Sequence, residues 1–165
     1  MSTNLKDIVI TSALRSAIGS FNGSLKNMQA HDLGSIVIKE VIKKSNLKSN
    51  EIDEIIMGQV LTGGAGQNPA RQAAINAGLP IEKTAYIINQ VCGSGLRSVA
   101  AGYQTIISND SNIVIAGGVG SFEPRKFPLK EAEQFENNGV YYSVKDKNYF
   151  KNKKISIFEG GDSAL

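Results

Sequence analysis

The ten residues NQVCGSGLRS (residues 89–98) hold the only cysteine of this 165-residue chain. They join two unlike stretches: AYIINQ (85–90), β-branched and apolar, and GSGLRSVAAGYQTII (93–107), rich in small residues. The first reads as a buried strand and the second as a helix. The junction therefore puts a thiol where a strand turns into a helix. In open α/β sheets ligands bind outside the carboxyl ends of the strands. A helix start adds unpaired N–H groups and a positive dipole end, which stabilise a thiolate over a thiol. Gly93 and Gly95 leave backbone amides unobstructed, so that an acyl group and its oxyanion can approach. Two readings of Cys92 follow from this local pattern: a nucleophile, or a buried structural cysteine packed as a small hydrophobe.

Outward from the junction, strands and helices alternate. IVITS (8–12) reads as a first strand, and 31–44 as a helix with Asp32 in its first turn and lysines in its last. EIIMGQV (54–60) is a second strand. NPARQAAINAG predicts a helix over 69–77, with Asn68 as cap, Pro69 at its first position and Gly78 as its stop. Residues 85–90 give the third strand, 93–108 the third helix and NIVIAGG (112–118) a fourth strand. Such alternation predicts an α/β fold, a parallel sheet covered by helices. The third helix has one charge, Arg97, and is apolar or small on nearly every side. A helix of that kind is normally buried on both sides, and one sheet covers only one. Leu96, Val99, Tyr103, Ile106 and Ile107 cannot all face the same sheet.

Composition narrows the function. A net charge of +3, dispersed along the chain, gives no footprint for nucleic acid, and no apolar run reaches membrane-spanning length. One cysteine excludes an internal disulfide and fits a reducing cytoplasm; the first residues show no secretory pattern. The expected location is cytoplasmic, with no metal site. His31, the only histidine, sits at a helix start and reads as a surface or capping residue.

Composition also shifts along the chain. The last 47 residues hold 8 of the 11 Phe and Tyr and 15 of the 33 charged side chains, which predicts a boundary between residues 117 and 122. The expected domains are 1–118 and 119–165.

The stretch IINQVCGSGLRSVAAGYQTI resembles the acyl-enzyme cysteine signature of thiolases, the acetyl-CoA C-acetyltransferases. ITSALRSAIGSFNGSL, DLGSIVIKEVI, IMGQVLTGGAGQNPARQAA and IVIAGG resemble thiolases too, in the same order, across residues 1–118. The resemblance implies a partial βαβαβαβ layer of a sandwich whose central helices come from two similar halves. It implies that Cys92 attacks an acyl-CoA thioester, holds the acyl group and passes it to a second acyl-CoA, with coenzyme A thioesters as substrates and no resident cofactor. The family's other catalytic groups, a His in a Gly-His-Pro stretch, a second Cys and an Asn, come from its second half. This chain matches none of them, so the resemblance implies a family member unable to complete the reaction alone. Thiolases are homo-oligomers, an assembly this chain is not expected to form properly.

Residues 119–165 resemble another family, the thioredoxin-reductase-like ferredoxin–NADP reductases. GSFEPRKFP is similar to their connection leaving the flavin domain, and KKISIF to the strand opening their nucleotide domain. The dinucleotide motif that should follow is degenerate: Glu159 stands at its first glycine, with Gly161 and Ala164 at the other two positions. A carboxylate and a Cβ there oppose a pyrophosphate, so no NADP binding is expected. The resemblance implies a chimera, its thiolase part followed by a foreign, loosely attached tail.

Overall fold

Three five-residue strands form one sheet in this computed structural model, which describes residues 7–20, 23–120 and 134. They are β1 (Glu54–Gly58), β2 (Thr84–Ile88) and β3 (Val114–Gly118), all parallel, in the order β2-β1-β3. The register pairs Glu54 with Thr84 and Val114, and Gly58 with Ile88 and Gly118. The strands' carboxyl ends are therefore level, and whatever follows them shares one edge of the sheet.

Three helices cover this sheet: α1 (Ala30–Lys44), α2 (Pro69–Ala77) and α3 (Ser94–Ile107). Strand residues alternate between faces. Ile55 and Met57, with Ala85, Ile87 and Ile115, meet the side carrying α1 and α2, where Ile38, Ile42, Ile52, Ala70, Ala73, Ala74 and Leu79 complete a closed core. The other face receives α3, whose Gly102 lies against Val114 and Ala116. Two helices thus lie on one face and the third on the other, and the parallel sheet covered by helices is the α/β fold expected from sequence.

Local chemistry accounts for the helix boundaries. In α2 the Asn68 side chain accepts from the Arg71 N–H at 3.0 Å, Pro69 opens the helix, and Gly78 stops it at φ 91°. Asn68 Nδ2 also donates to the Ala85 carbonyl at 2.9 Å, tying the helix start to β2. In α1 the Gln29 N–H reaches Asp32 Oδ2 at 3.4 Å, so Gln29 takes the cap position and His31 lies inside the helix. His31 is mostly covered, its Nε2 3.5 Å from Asp32 Oδ1, rather than a surface or capping residue.

The expected strand over 8–12 does not form. Residues 7–20 carry no regular structure, and Val9 and Ile10 are exposed. A β-branched run becomes a strand only where a neighbour completes its ladder, and no described strand pairs with this one. Among the described residues the sheet thus has three strands instead of four. The chain divides into two units, residues 1–121 and 122–165. Apart from Gln134, the second unit lies outside the described residues, as does the expected loose attachment of a tail.

Asp53 joins the start of β1 to the start of β3. Its Oδ2 accepts from the Asn112 N–H at 2.8 Å and the Ile113 N–H at 3.2 Å, while Lys83 Nζ stands 3.6 Å from Oδ1. The Asn112 N–H is the main cause holding this carboxyl below its ordinary range; burial opposes it, and Ile113 and Lys83 assist. A depressed carboxylate adds stability above its unfolded value of about 3.9 and loses it as pH falls through the lower folded value. Asp53→Ala is expected to cost about 1–2 kcal/mol at neutral pH, the range for hydrogen bonds to a charged group that is partly exposed. Urea unfolding should show this gap closing on acidification below about pH 4. A gap of constant size would rule out the carboxylate as its source.

Candidate active site

The turn between β2 and α3 is built from side chains that bind backbone. Asn89 Oδ1 accepts from the Val91 N–H at 3.0 Å, while its Nδ2 donates to the Val60 carbonyl, also at 3.0 Å. Ser94 Oγ accepts from the Gln90 N–H at 2.8 Å and donates to the Val91 carbonyl at 2.6 Å. The peptide groups on both sides of Val91 are thus fixed by side chains. Val91 has φ 49°, left-handed backbone that a β-branched residue rarely adopts, at a cost of about 1–3 kcal/mol. That conformation persists because its hydrogen bonds over-determine it. Cys92 follows at once, exposed and free of any disulfide.

Close contact sets the height of α3 above the strand ends. A Cβ on Gly58 would fall 2.3 Å from the Ser94 carbonyl carbon, and one on Gly118 would fall 3.1 Å from Gly95 Cα. Ser98 is fully buried; its hydroxyl lies 2.6 Å from the Gly95 carbonyl and 2.8 Å from the Gly117 carbonyl, fastening the helix to β3. Ser94, Ser98 and Gly102 form a buried line of small side chains at four-residue spacing. The helix lies low on the sheet by this line, which brings its N-terminus to the strand edge where Cys92 stands.

The amides divide unequally. The Gly93 N–H donates to the Gln90 carbonyl at 3.0 Å and closes the turn, so it is not the open donor that the sequence suggested. The Ser94 N–H is likewise bonded, to the Val91 carbonyl at 3.1 Å. Those of Gly95 and Leu96, the next along the helix, find no acceptor among the described residues. An exposed thiol beside a helix start with open amides can accept an acyl group.

Other expected features fall elsewhere. His31 belongs to α1, in the layer on the opposite face of the sheet from α3. Burial, with Glu54 assisting and Arg97 opposing, raises the Tyr86 phenol above its ordinary range, so it stays protonated at neutral pH. Among the described residues no group of His, Cys, Asp and Glu could hold a metal ion, and no helix is long and apolar enough to cross a membrane. Glu159, Gly161 and Ala164 lie outside the described residues. Asn89 and Ser94 were missed as site builders. Their signal was present, since Asn two residues before a turn peptide and Ser at a helix start are common turn and cap residues.

The sequence matches the thiolase N-terminal domain over residues 8–146. It is 56% identical over 114 residues to the acetyl-CoA acetyltransferase of Rhizobium meliloti (strain 1021), an alignment covering 69% of this chain and 29% of that protein. It is 45% identical over 141 residues to the acetyl-CoA acetyltransferase of Allochromatium vinosum, covering 86% of this chain and 36% of that protein. The crystal structure of the Bacillus anthracis acetyl-CoA acetyltransferase superposes with a TM-score of 0.65 at 38% identity, covering 67% of this chain and 28% of the other. The chain therefore spans about a third or less of the length of these relatives. The family match also crosses residue 118, where the sequence reading had ended the thiolase part, and runs to 146.

Proposed function

Because the chain belongs to the thiolase family through its N-terminal domain, we propose that it supplies the acyl-accepting half of an acyl-CoA acyltransferase, with Cys92 as the nucleophile. The observation that carries this reading is the placement of Cys92, exposed on a hydrogen-bonded turn at the start of α3, within a stretch that resembles the family's acyl-enzyme signature. The thiolate sulfur attacks the thioester carbonyl carbon, a new carbon–sulfur bond forms, and the bond to coenzyme A breaks. Coenzyme A leaves as a thiolate and takes up a proton, and the acyl group stays on Cys92. Splitting the transfer into two steps is the logic of covalent catalysis. Transfer to a second acyl-CoA needs proton-transfer groups, for which the resemblance points to a second Cys and a His in a Gly-His-Pro stretch; this sequence has neither.

The expected behaviour is a single acylation without turnover. Incubation of the chain with acetyl-CoA should place one acetyl group on Cys92, seen by mass spectrometry of its peptide, and Cys92→Ala should abolish it. The same preparation should not sustain coenzyme-A-dependent cleavage of acetoacetyl-CoA. Absence of the acetyl adduct on folded protein would remove Cys92 from its role, and sustained cleavage would show that the chain completes the reaction.

The proposal of a chimera is narrower than the sequence first suggested. Since the family match reaches residue 146, only 147–165 carry the reductase resemblance unshared, including Glu159, Gly161 and Ala164. Their degenerate motif supports no dinucleotide site.

A further inference from the structure

Resting on the assignment of Cys92 as the acyl-accepting thiol, we infer that Asn89 is a positioning residue, whose side chain aims Cys92 by joining its turn to the loop after β1. Both ends of the Asn89 amide are engaged: Oδ1 takes the Val91 N–H at 3.0 Å, and Nδ2 gives to the Val60 carbonyl at 3.0 Å. Val60 lies two residues beyond the end of β1, and Val91 three beyond the end of β2. The amide therefore spans the ends of two paired strands, whose register is fixed by Gly58 and Ile88.

What Asn89 holds is the peptide that enters Val91, the residue from which the direction of the cysteine is set. The left-handed Val91 is the pivot, and the orientation of Cys92 is determined by the peptide that follows it. Ser94 Oγ fixes that peptide from the helix side, through the Val91 carbonyl. Asn89 fixes the preceding peptide from the sheet side. Ser94 is buried within α3 and holds the helix start as well, so its loss would disturb the fold. Asn89 is exposed, so no core contact accounts for both bonds. The residue type also fits: Asn accepts from the amide two residues ahead while retaining a donor for a second carbonyl.

Such a residue affects reactions with strict geometry and spares those without it. Acyl transfer from a thioester requires the sulfur to approach a carbonyl along one direction while the developing oxyanion meets fixed donors. Alkylation by iodoacetamide requires only an accessible thiolate. In the 165-residue chain, Asn89→Ala is expected to slow acetyl transfer from acetyl-CoA to Cys92 on the order of 10- to 100-fold, the effect of a small misplacement of a reacting group. Alkylation by iodoacetamide and the melting transition should change little. Asn89→Ser, whose hydroxyl can accept and donate over a shorter reach, should recover part of the acetyl-transfer rate. Acetyl transfer at the wild-type rate in Asn89→Ala overturns the inference. So does a parallel fall in both reactions with a lowered melting temperature, the pattern of a merely structural residue. A wild-type chain that is alkylated but never acetylated instead overturns the role of Cys92, and this inference with it.

Discussion

Gly58→Ala should loosen the sheet's upper edge and remove a large share of the stability of the native state. The added Cβ would lie 2.3 Å from the Ser94 carbonyl carbon, 2.4 Å from its oxygen and 2.6 Å from the Gly95 nitrogen. All three are backbone atoms at the start of a helix, and none can rotate away. Relief requires lifting α3 from the strand ends, which breaks the Ser98 contact with Gly117 and the fit of Gly95 on Gly118. Overpacking a core typically costs about 1–3 kcal/mol where side chains can yield, and about 3 kcal/mol or more is expected where only backbone can move. Against a domain stability of about 5–15 kcal/mol, that is a large share. Gly34→Ala is the matched comparison. Its Cβ would meet Met57 Cε at 2.9 Å, the far end of a flexible side chain, and Ala73 Cβ at 3.3 Å, and a smaller cost of about 1–2 kcal/mol is expected. Urea unfolding followed by circular dichroism should separate the two variants clearly. Equal midpoints would mean that α3 does not rest on Gly58 as described. Acetyl transfer to Cys92 should fall in Gly58→Ala together with stability, since the same helix start carries both.

Much of this arrangement was written locally. The Asn68, Pro69 and Gly78 signals bound α2 because each acts on its own backbone, without help from distant residues. β1 was legible because Ile55, Ile56 and Met57 are buried on both faces and need no alternation to mark them. The 8–12 stretch is also β-branched and apolar and does not pair, because strand formation depends on an edge that composition does not describe. Helix α3 illustrates the same division. Its surplus of apolar side chains was apparent, and Leu96, Val99 and Tyr103 are indeed exposed. The line by which it meets the sheet was less apparent, because Ser94, Ser98 and Gly102 carry no hydrophobic signal. Their meaning comes from Gly58 beneath Ser94, Gly117 beneath Ser98, and Val114 and Ala116 beneath Gly102, which are distant in sequence and meet them only when the strands align. The place of Cys92 between a strand and a helix was legible in sequence, since β2 ends at Ile88 and α3 begins at Ser94. The side-chain clasp of Asn89 and the closure of the Gly93 amide depend on a turn whose conformation no periodicity encodes. The rise in charged and aromatic residues after 118 falls close to the division of the chain at 121, while the family match runs on to 146.

Exposed apolar surface on α3 should dominate how the purified chain behaves in solution, and changing two of its residues should alter that behaviour without harming the fold. Leu96 is 78% exposed, Tyr103 51% and Val99 39%, one turn apart along the outer face of the helix. A fully buried side chain of this class contributes about 1.5–3 kcal/mol, a gain not realised where it faces water. The exposed stripe should therefore drive concentration-dependent association of the folded chain. The double variant Val99→Glu and Tyr103→Lys replaces two of these side chains by charges at four-residue spacing, with Glu on the N-terminal side. Such a pair stabilises a helix by about 0.2–0.5 kcal/mol, and Glu is the better helix former than Val. Neither residue belongs to the buried line of Ser94, Ser98 and Gly102, so the contact with the sheet is unchanged. Light scattering and sedimentation should show wild type associating as concentration rises and the double variant remaining monodisperse, with a melting temperature equal to or slightly above that of wild type. A variant that stays monomeric but melts several degrees lower would show that the outer face of α3 is already packed within the chain. Equal association of both proteins would place the sticky surface elsewhere, with the exposed Val9 and Ile10 the next residues to exchange.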